Sequence, residues 1–343
     1  MKIAITADLH LARYGHDVID PKSNLPERLS SIKNVLNYIA TYSLENEINQ
    51  IAILGDLLHG KSIIYSIAQN ILLSFFRSYP DLEFIVIDGN HDLSGKGEDV
   101  CSALVSLDNE PNVIRVTSDY MFIESENILL VPYSTNMVDV IKNKSAKYLF
   151  SHFGLNEGVL NSGISVISDL SLNDLRSKYQ YVILGHYHKP QEIIRDDISC
   201  YYCGSPIQLD WGEKHDEKRF LVINTDNDTI ESVPFDGYKK FYSFELRKDN
   251  YDEVIKKAKE LSDQGHHVTI SKLEKIDTKD IQEQFRIVDR TEVDITNRGI
   301  TSTMSREDKL RSYMDIKQIP ENERDSYLKV GLSIIESCQN IEG

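Results

Sequence analysis

A chain of 343 residues is long enough for about two domains, each with its own core. Hydrophobic residues make up 41% and charged residues 27%, an ordinary globular balance, and no apolar run reaches the ~20 residues that span a bilayer, so no membrane association is expected. A net charge of −16 argues against tight non-specific binding of a polyanion, because that affinity comes from Lys and Arg on phosphates.

The chain opens on a strand, Lys2–Thr6, with no leader pattern before it. Residues 26–46 place Leu29, Ile32, Leu36, Ile39 and Ala40 at helical spacing, and Gln50–Leu54 is again a strand. A second helix is expected over 62–79 and a third strand over 84–87. Strand, helix, strand, helix, strand implies parallel pairing with right-handed crossovers. A helix is expected through 99–107, where Val100, Ala103, Leu104 and Leu107 recur at helical spacing. Strands follow at 113–116, 121–124, 128–131, 147–150 and 181–184, and then at 201–202, 220–224 and 229–233, with fewer helices between them. Cys200 and Cys203 form a C-x-x-C within a strand, where residues three apart face opposite ways. With no second pair to complete a zinc site they read as packing thiols, compatible with a reducing cytosol. Near residue 236 the pattern changes. A catalytic domain over 1–235 is expected to give way to a small α+β domain over 236–295. A Thr/Ser-rich linker over 296–304 and two helices within 305–343 complete the chain. Ser305 to Asp308 reads as a capping box.

Five of the strands run into polar residues just past their carboxyl ends. The first leads to Asp8 and His10 ("ADLH"), the second to Asp56 and His59 ("GDLLHG"), and the third to Asn90, His91 and Asp92 ("DGNHD"). The strand over 147–150 leads to His152 ("SHFG") and that over 181–184 to His186 and His188 ("GHYH"). In an open α/β sheet such ends share one rim, where ligands bind. Each motif alone has a plainer reading: Asp-x-His as a turn, Gly-Asp as a helix cap, His152 as a satisfied core histidine. Five together are hard to treat as independent accidents. The donors mix imidazole nitrogen, carboxylate oxygen and one amide oxygen without thiolate, which suits manganese, iron or zinc in a catalytic site. Seven ligands, one a bridging carboxylate, match two ions roughly 3.5–4 Å apart. Asn90 is then an amide-oxygen ligand, and His91 a proton donor beside the ions.

In this order "DLH", "GDLLH", "GNHD", "SH" and "GHYH" resemble the motifs of the calcineurin-like metallophosphoesterases, and within them the SbcD-type DNA-repair nucleases. The resemblance is specific through about residue 235 and looser beyond. It implies an α/β fold built as a β-sandwich flanked by helices, with a small α+β capping domain and C-terminal helices. It implies that Asp8, His10 and His188 hold one metal ion, that Asn90, His152 and His186 hold the other, and that Asp56 bridges them. His91 is the implied general acid or transition-state donor, and His59 positions the phosphate. Asp92 either steers His91 or caps the turn. Manganese is the expected divalent metal, with magnesium the alternative. The implied activity is exonuclease cleavage of double-stranded DNA from the 3′ end, with endonuclease cleavage of single strands.

Residues 1–235 carry 19 basic and 32 acidic side chains, whereas 236–300 carry 13 and 14. The subunit alone is therefore expected to hold DNA poorly. The resemblance supplies a second component, a coiled-coil ATPase of the chromosome-maintenance type bound by the C-terminal helices. The apolar stripe Tyr327, Leu328, Ile334 and Ile335 suits helix-in-groove docking, although a helix packed on its own protein reads the same way. The resemblance also implies a homodimer formed near 99–107, against which stands burial in the monomer's own core. Trp211 is read as loop packing, and His266 and His267 are given no role. Two other readings compete. One is a protein phosphatase or small-molecule phosphodiesterase of the same superfamily, disfavoured because "GDLLHG" places His59 where such phosphatases resemble one another in an arginine. The other is a non-enzymatic scaffold, which would be expected to lack ligands.

Overall fold

The computed structural model describes residues 1–13, 18–60, 63–95, 99–195, 197–291 and 304–339, with side chains as far as residue 332. The strands come from short apolar runs. β1 (Lys2–Thr6), β2 (Gln50–Leu54) and β3 (Glu83–Ile87) each bury their last four residues. Strands covered on both faces read as continuous apolar segments rather than alternating ones. The three are parallel, joined by crossovers through α1 (Glu27–Glu45) and α2 (Ser66–Ser78). Residue 62, the expected start of the second helix, lies outside the described residues.

The helix expected over 99–107 is not formed. Its place is taken by a small antiparallel ribbon of β4 (Leu93–Ser94) and β5 (Cys101–Ser102), followed by a 3₁₀ turn over Val105–Asn109. Ser102 decides this locally. Its hydroxyl donates to Asp88 at 2.7 Å and accepts from the Leu104 N–H at 3.0 Å, which diverts the backbone from a helical ladder. Leu104 and Leu107 are buried all the same, so the apolar spacing reported burial correctly and conformation wrongly.

The chain continues through β6 (Val113–Arg115), β7 (Met121–Ile123), β8 (Ile128–Val131), α3 (Met137–Asn143), β9 (Tyr148–His152), α4 (Leu172–Leu175) and β10 (Tyr181–Gly185). β11 (Gln191–Arg195), β12 (Ile198–Tyr202), β13 (Arg219–Asn224) and β14 (Thr229–Pro234) follow. These strands form two six-stranded sheets, in the orders β14-β13-β1-β2-β3-β6 and β11-β12-β10-β9-β8-β7. The expectation of one shared rim is therefore corrected. β1 to β3 belong to one sheet, β9 and β10 to the other. The sheets pack face to face through a core that includes Ile5, Leu54, Ile87, Phe150 and Ile183. They meet at the strand exits, where His152 Nδ1 donates to the Leu54 carbonyl at 2.8 Å. Helices α1 and α2 cover the first sheet, and α3 and α4 the second. Cys200 lies in the outer core and Cys203 between the sheets, so the C-x-x-C forms no pair. Among the described residues no helix is long and apolar enough to cross a membrane.

The chain divides into two units, Met1–Tyr242 with Leu261–His267, and Ser243–Glu260 with Val268–Gly343. β15 (Phe241–Leu246), β16 (His267–Lys272) and β17 (Arg286–Asp289) form a three-stranded sheet, with α5 (Tyr251–Asp263) between its first two strands in sequence. α6 (Arg306–Ile316) begins at Ser305, whose hydroxyl accepts from the Asp308 N–H at 3.1 Å. It packs on α7 (Glu321–Gln339), Leu310 lying against Gly331. The linker over 296–304 lies outside the described residues apart from Met304, as do the side chains of Ile334 and Ile335.

Candidate metal centre

The donors singled out in the sequence sit in the first turns past a strand, except His152, which ends β9, and in several of these turns the backbone is forced. Asp8, His10 and Asp56 take φ of 56°, 48° and 53°, and His186 takes 97°. Non-glycine residues in such conformations cost on the order of 1–3 kcal/mol each and persist only where their surroundings hold them. The holding bonds are visible. The N–H of Asp8 donates to the Gly55 carbonyl at 3.0 Å and that of His10 to the Asp56 carbonyl at 2.9 Å, clamping the exits of β1 and β2 together. Space is tight as well. A Cβ at Gly89 would stand 2.2 Å from Asp56 Oδ1, and one at Gly55 would stand 2.5 Å from His152 Nδ1.

The carboxylates are then aimed. The N–H of His91 donates to Asp56 Oδ1 at 2.8 Å, and the N–H of His186 to both oxygens of Asp8 at 3.0 Å. Asp56 Oδ2 lies 3.3 Å from His152 Nε2 and 3.5 Å from His10 Nε2. Asn90 Oδ1 lies 3.1 Å from His152 Nε2 and 3.0 Å from His186 Nδ1. His10 Nε2 and His188 Nε2 are 2.9 Å apart. Donor atoms of Asp8, His10 and His188 fall within 4.8 Å of one another, as do those of Asp8, Asp56 and His152. His59 and His91 border the group. Their rings stack with centroids 5.1 Å apart, His59 Nδ1 is 3.1 Å from His10 Nδ1, and His91 Nδ1 donates to the His59 carbonyl at 3.0 Å. Asp92 plays a different part. Its oxygens accept from the N–H groups of Leu57, Leu58 and Gly89, so it caps the turn.

The electrostatics are those of a site that attracts cations. Burial pushes Asp8 up to about 6, against the pull of His152 and His188. Burial also works to lower His152, but the Asp56 and Asp8 carboxylates outweigh it and lift that imidazole to about 9. Asp56, despite its own burial, is held low by His152 and His10. Burial takes His186 down to about 4 and His10 well below the ordinary imidazole value, so both nitrogens keep their lone pairs.

The sequence of residues 1–214 matches the calcineurin-like phosphoesterase family model. This chain belongs to the calcineurin-like phosphoesterase family. A curated relative, the SbcD component of the nuclease SbcCD from Staphylococcus epidermidis (strain ATCC 12228 / FDA PCI 1200), is 21% identical over 305 residues, covering 78% of this chain and 77% of that protein. Among solved structures, a dimetal phosphatase from Danio rerio is 11% identical with a TM-score of 0.47, covering 68% of this chain and 96% of that one. Pseudomonas putida nuclease MPE is 13% identical with a TM-score of 0.33, covering 68% of this chain and 87% of that one.

Calcineurin-like phosphoesterases use divalent metal ions, and the residues here fit them. Buried carboxylate, amide and imidazole atoms lie 2.9–3.5 Å apart, close enough that each pair needs a shared proton or cation between its lone pairs. The all-oxygen-and-nitrogen donor set suits such ions, with no thiolate among it. One supporting residue escaped the sequence reading. Glu213, fully buried, places Oε1 2.9 Å from His188 Nδ1. Its Oε2 takes the Lys218 ammonium at 2.7 Å, the Ser205 hydroxyl at 3.0 Å and the Leu209 N–H at 2.9 Å. Burial alone would raise Glu213, but His188 and Lys218 hold it down at about 2. A carboxylate behind a ligating imidazole fixes the tautomer and turns Nε2 toward the centre. No motif in "LDWGEKH" marks it, and only the fold brings this loop behind "GHYH".

Proposed function

We propose that this calcineurin-like phosphoesterase is the nuclease component of a DNA-processing complex, cutting duplex ends from the 3′ side and single strands internally. The observation that carries the reading is the extent of its likeness to the SbcD component of SbcCD. It runs over 305 residues, beyond the 214 that the family model covers. Asp8, His10 and His188 would hold one divalent ion, Asn90, His152 and His186 the other, and Asp56 both. Manganese is the metal proposed. When bound, such ions neutralise the non-bridging phosphate oxygens and acidify water.

The side chains do the rest. His91 commits Nδ1–H to the His59 carbonyl, so Nε2 is the nitrogen that, in the imidazolium form, would hand its proton to the departing sugar oxygen and leave the neutral Nδ1–H ring. His59, stacked on His91, steadies the phosphate beside it. Burial and the neighbouring His91 lower the pKa of His59, so it serves as a neutral imidazole.

The partner proposed is a coiled-coil ATPase, which would supply the DNA affinity that an acidic chain lacks. On α7, Tyr327 and Val330 are exposed and available to it, whereas Leu328 is buried. Val100 and Val105 are likewise exposed on the segment where self-association is proposed. The test is cleavage of end-labelled duplex and single-stranded DNA with each divalent cation, with and without the ATPase, beside a phosphopeptide. Manganese-dependent DNA cleavage is expected. Dephosphorylation of the peptide with intact DNA would make the protein a phosphatase.

A further inference from the structure

Next to the metal centre lies a cavity of about 420 Å³ that shares His186 with it. Phe153 and Tyr187 form a buried apolar floor, and Met137 and Val138 of α3 form one side. The wall hangs from the exit of β3, because the Tyr133 N–H donates to the Asp88 carbonyl at 2.9 Å. The rim is the segment before α4, where Ile167 stands 96% exposed. That segment is anchored at its base. The Ser168 N–H donates to Asn156 Oδ1 at 2.7 Å, and the Ser168 hydroxyl donates to the Gly154 carbonyl.

The lining says what kind of group would fit. Among the described residues it contains no lysine or arginine, and it contains Asp169, so a second phosphate would be repelled. It does contain hydroxyls, and that of Ser134 is buried with no hydrogen-bond partner. Apolar faces with a few polar groups at the edge suit a flat heteroaromatic ring.

We infer that the cavity receives the base of the nucleotide adjoining the phosphate being cut, drawn out of its stack, with Ile167 as the apolar wedge that fills the gap. The inference rests on the nuclease reading and gives it a substrate subsite. Enzymes that do chemistry on a base extrude it in this way, and proteins that kink a duplex insert apolar side chains between neighbouring bases; the same moves would serve a cut at the adjoining phosphate. Because His186 borders both spaces, a phosphate bound at the metal centre would have its own nucleotide within reach of the cavity mouth.

The experiment compares single-turnover cleavage of an end-labelled single strand with the same strand carrying an abasic site beside the cut. The enzymes are the manganese-loaded full chain and its Ile167→Ser and Thr135→Trp variants. Both side chains are solvent-exposed, so the variants should fold, and equal melting temperatures check this. Loss of the base should slow the parent enzyme by roughly 10- to 100-fold, the scale of one base–side-chain stacking interaction. The penalty should shrink in Ile167→Ser. In Thr135→Trp, which fills the cavity, the intact strand should be cut as slowly as the abasic one. Equal rates on both strands with the parent enzyme, or an undiminished penalty in both variants, would overturn the assignment. If every oligonucleotide stays whole while bis(p-nitrophenyl) phosphate is hydrolysed, the nuclease reading fails and the base subsite falls with it.

Discussion

At the scale of single residues, His91 and Asp56 divide the labour. His91 holds Asp56 through its backbone N–H and the His59 carbonyl through its ring, so the ring itself supports none of the seven proposed ligand side chains by a hydrogen bond. His91→Asn should therefore reduce cleavage by roughly 10²- to 10⁴-fold, the usual range for a lost general acid, while bound metal is unchanged. Undiminished cleavage would remove His91 from the mechanism. Glu213 acts through His188. Glu213→Gln should weaken manganese binding by roughly 10- to 100-fold, measured by calorimetric titration, and should also lower the melting temperature of the metal-free protein, because it takes from the buried Lys218 ammonium its nearest carboxylate. The polar groups of "DLH", "GDLLH", "GNHD", "SH" and "GHYH" were legible as a set because each interrupts an apolar strand. Glu213 was not, because its burial depends on Lys218 and on a loop folded behind a distant strand.

At the scale of elements, the turns past the strands are built around atoms too close for a side chain. Gly89→Ala would place a Cβ 2.2 Å from Asp56 Oδ1, and the carboxylate or the turn must move. A shift of about 1 Å costs on the order of 10²-fold in rate, so this methyl group should nearly silence the enzyme. Wild-type cleavage by that variant would show that the turn yields freely. On the C-terminal helices, Leu328 is buried and Tyr327 exposed. Leu328→Ala should speed amide exchange in α6 and α7 by an amount matching about 2 kcal/mol, whereas Tyr327→Ala should leave exchange alone and weaken capture of the ATPase. The reverse pattern would assign Tyr327 to packing. Arg77, at the end of α2, chelates Glu110 and lowers its pKa by that hydrogen bond. A depressed carboxylate contributes stability above its unfolded value and loses it as pH falls through the folded one. Arg77→Ala should therefore lower the melting temperature at pH 7 only slightly, since Arg77 is largely exposed and solvent screens the pair. The gap should narrow below pH ~4. A gap that persists in acid would mean lost packing rather than lost charge. Apolar periodicity found α1, α2 and the parallel strands. It misjudged 99–107, where Ser102 bonds its own backbone, and it could not tell that β9 and β10 lie in a second sheet, because a strand buried on both faces carries no label of its neighbours.

At the scale of the whole molecule, the proposed function asks one acidic chain of net charge −16 to handle a polyanion. The sandwich gathers buried carboxylates at the meeting point of two sheets, where they favour the charged imidazole of His152 and would favour bound cations that offset part of this charge. Under the proposed function the remaining affinity would come from a partner. Composition suggested that division, whereas the pairing of the two sheets that creates the centre was visible only in three dimensions. The most direct measurement is the manganese content of the chain after loading and dialysis, for the native protein and for Asp56→Ala. The account predicts about two ions per chain in the native protein, with occupancy and DNA cleavage falling together in the variant. A native chain that retains no manganese, or an Asp56→Ala chain that keeps both ions and full cleavage, would contradict it.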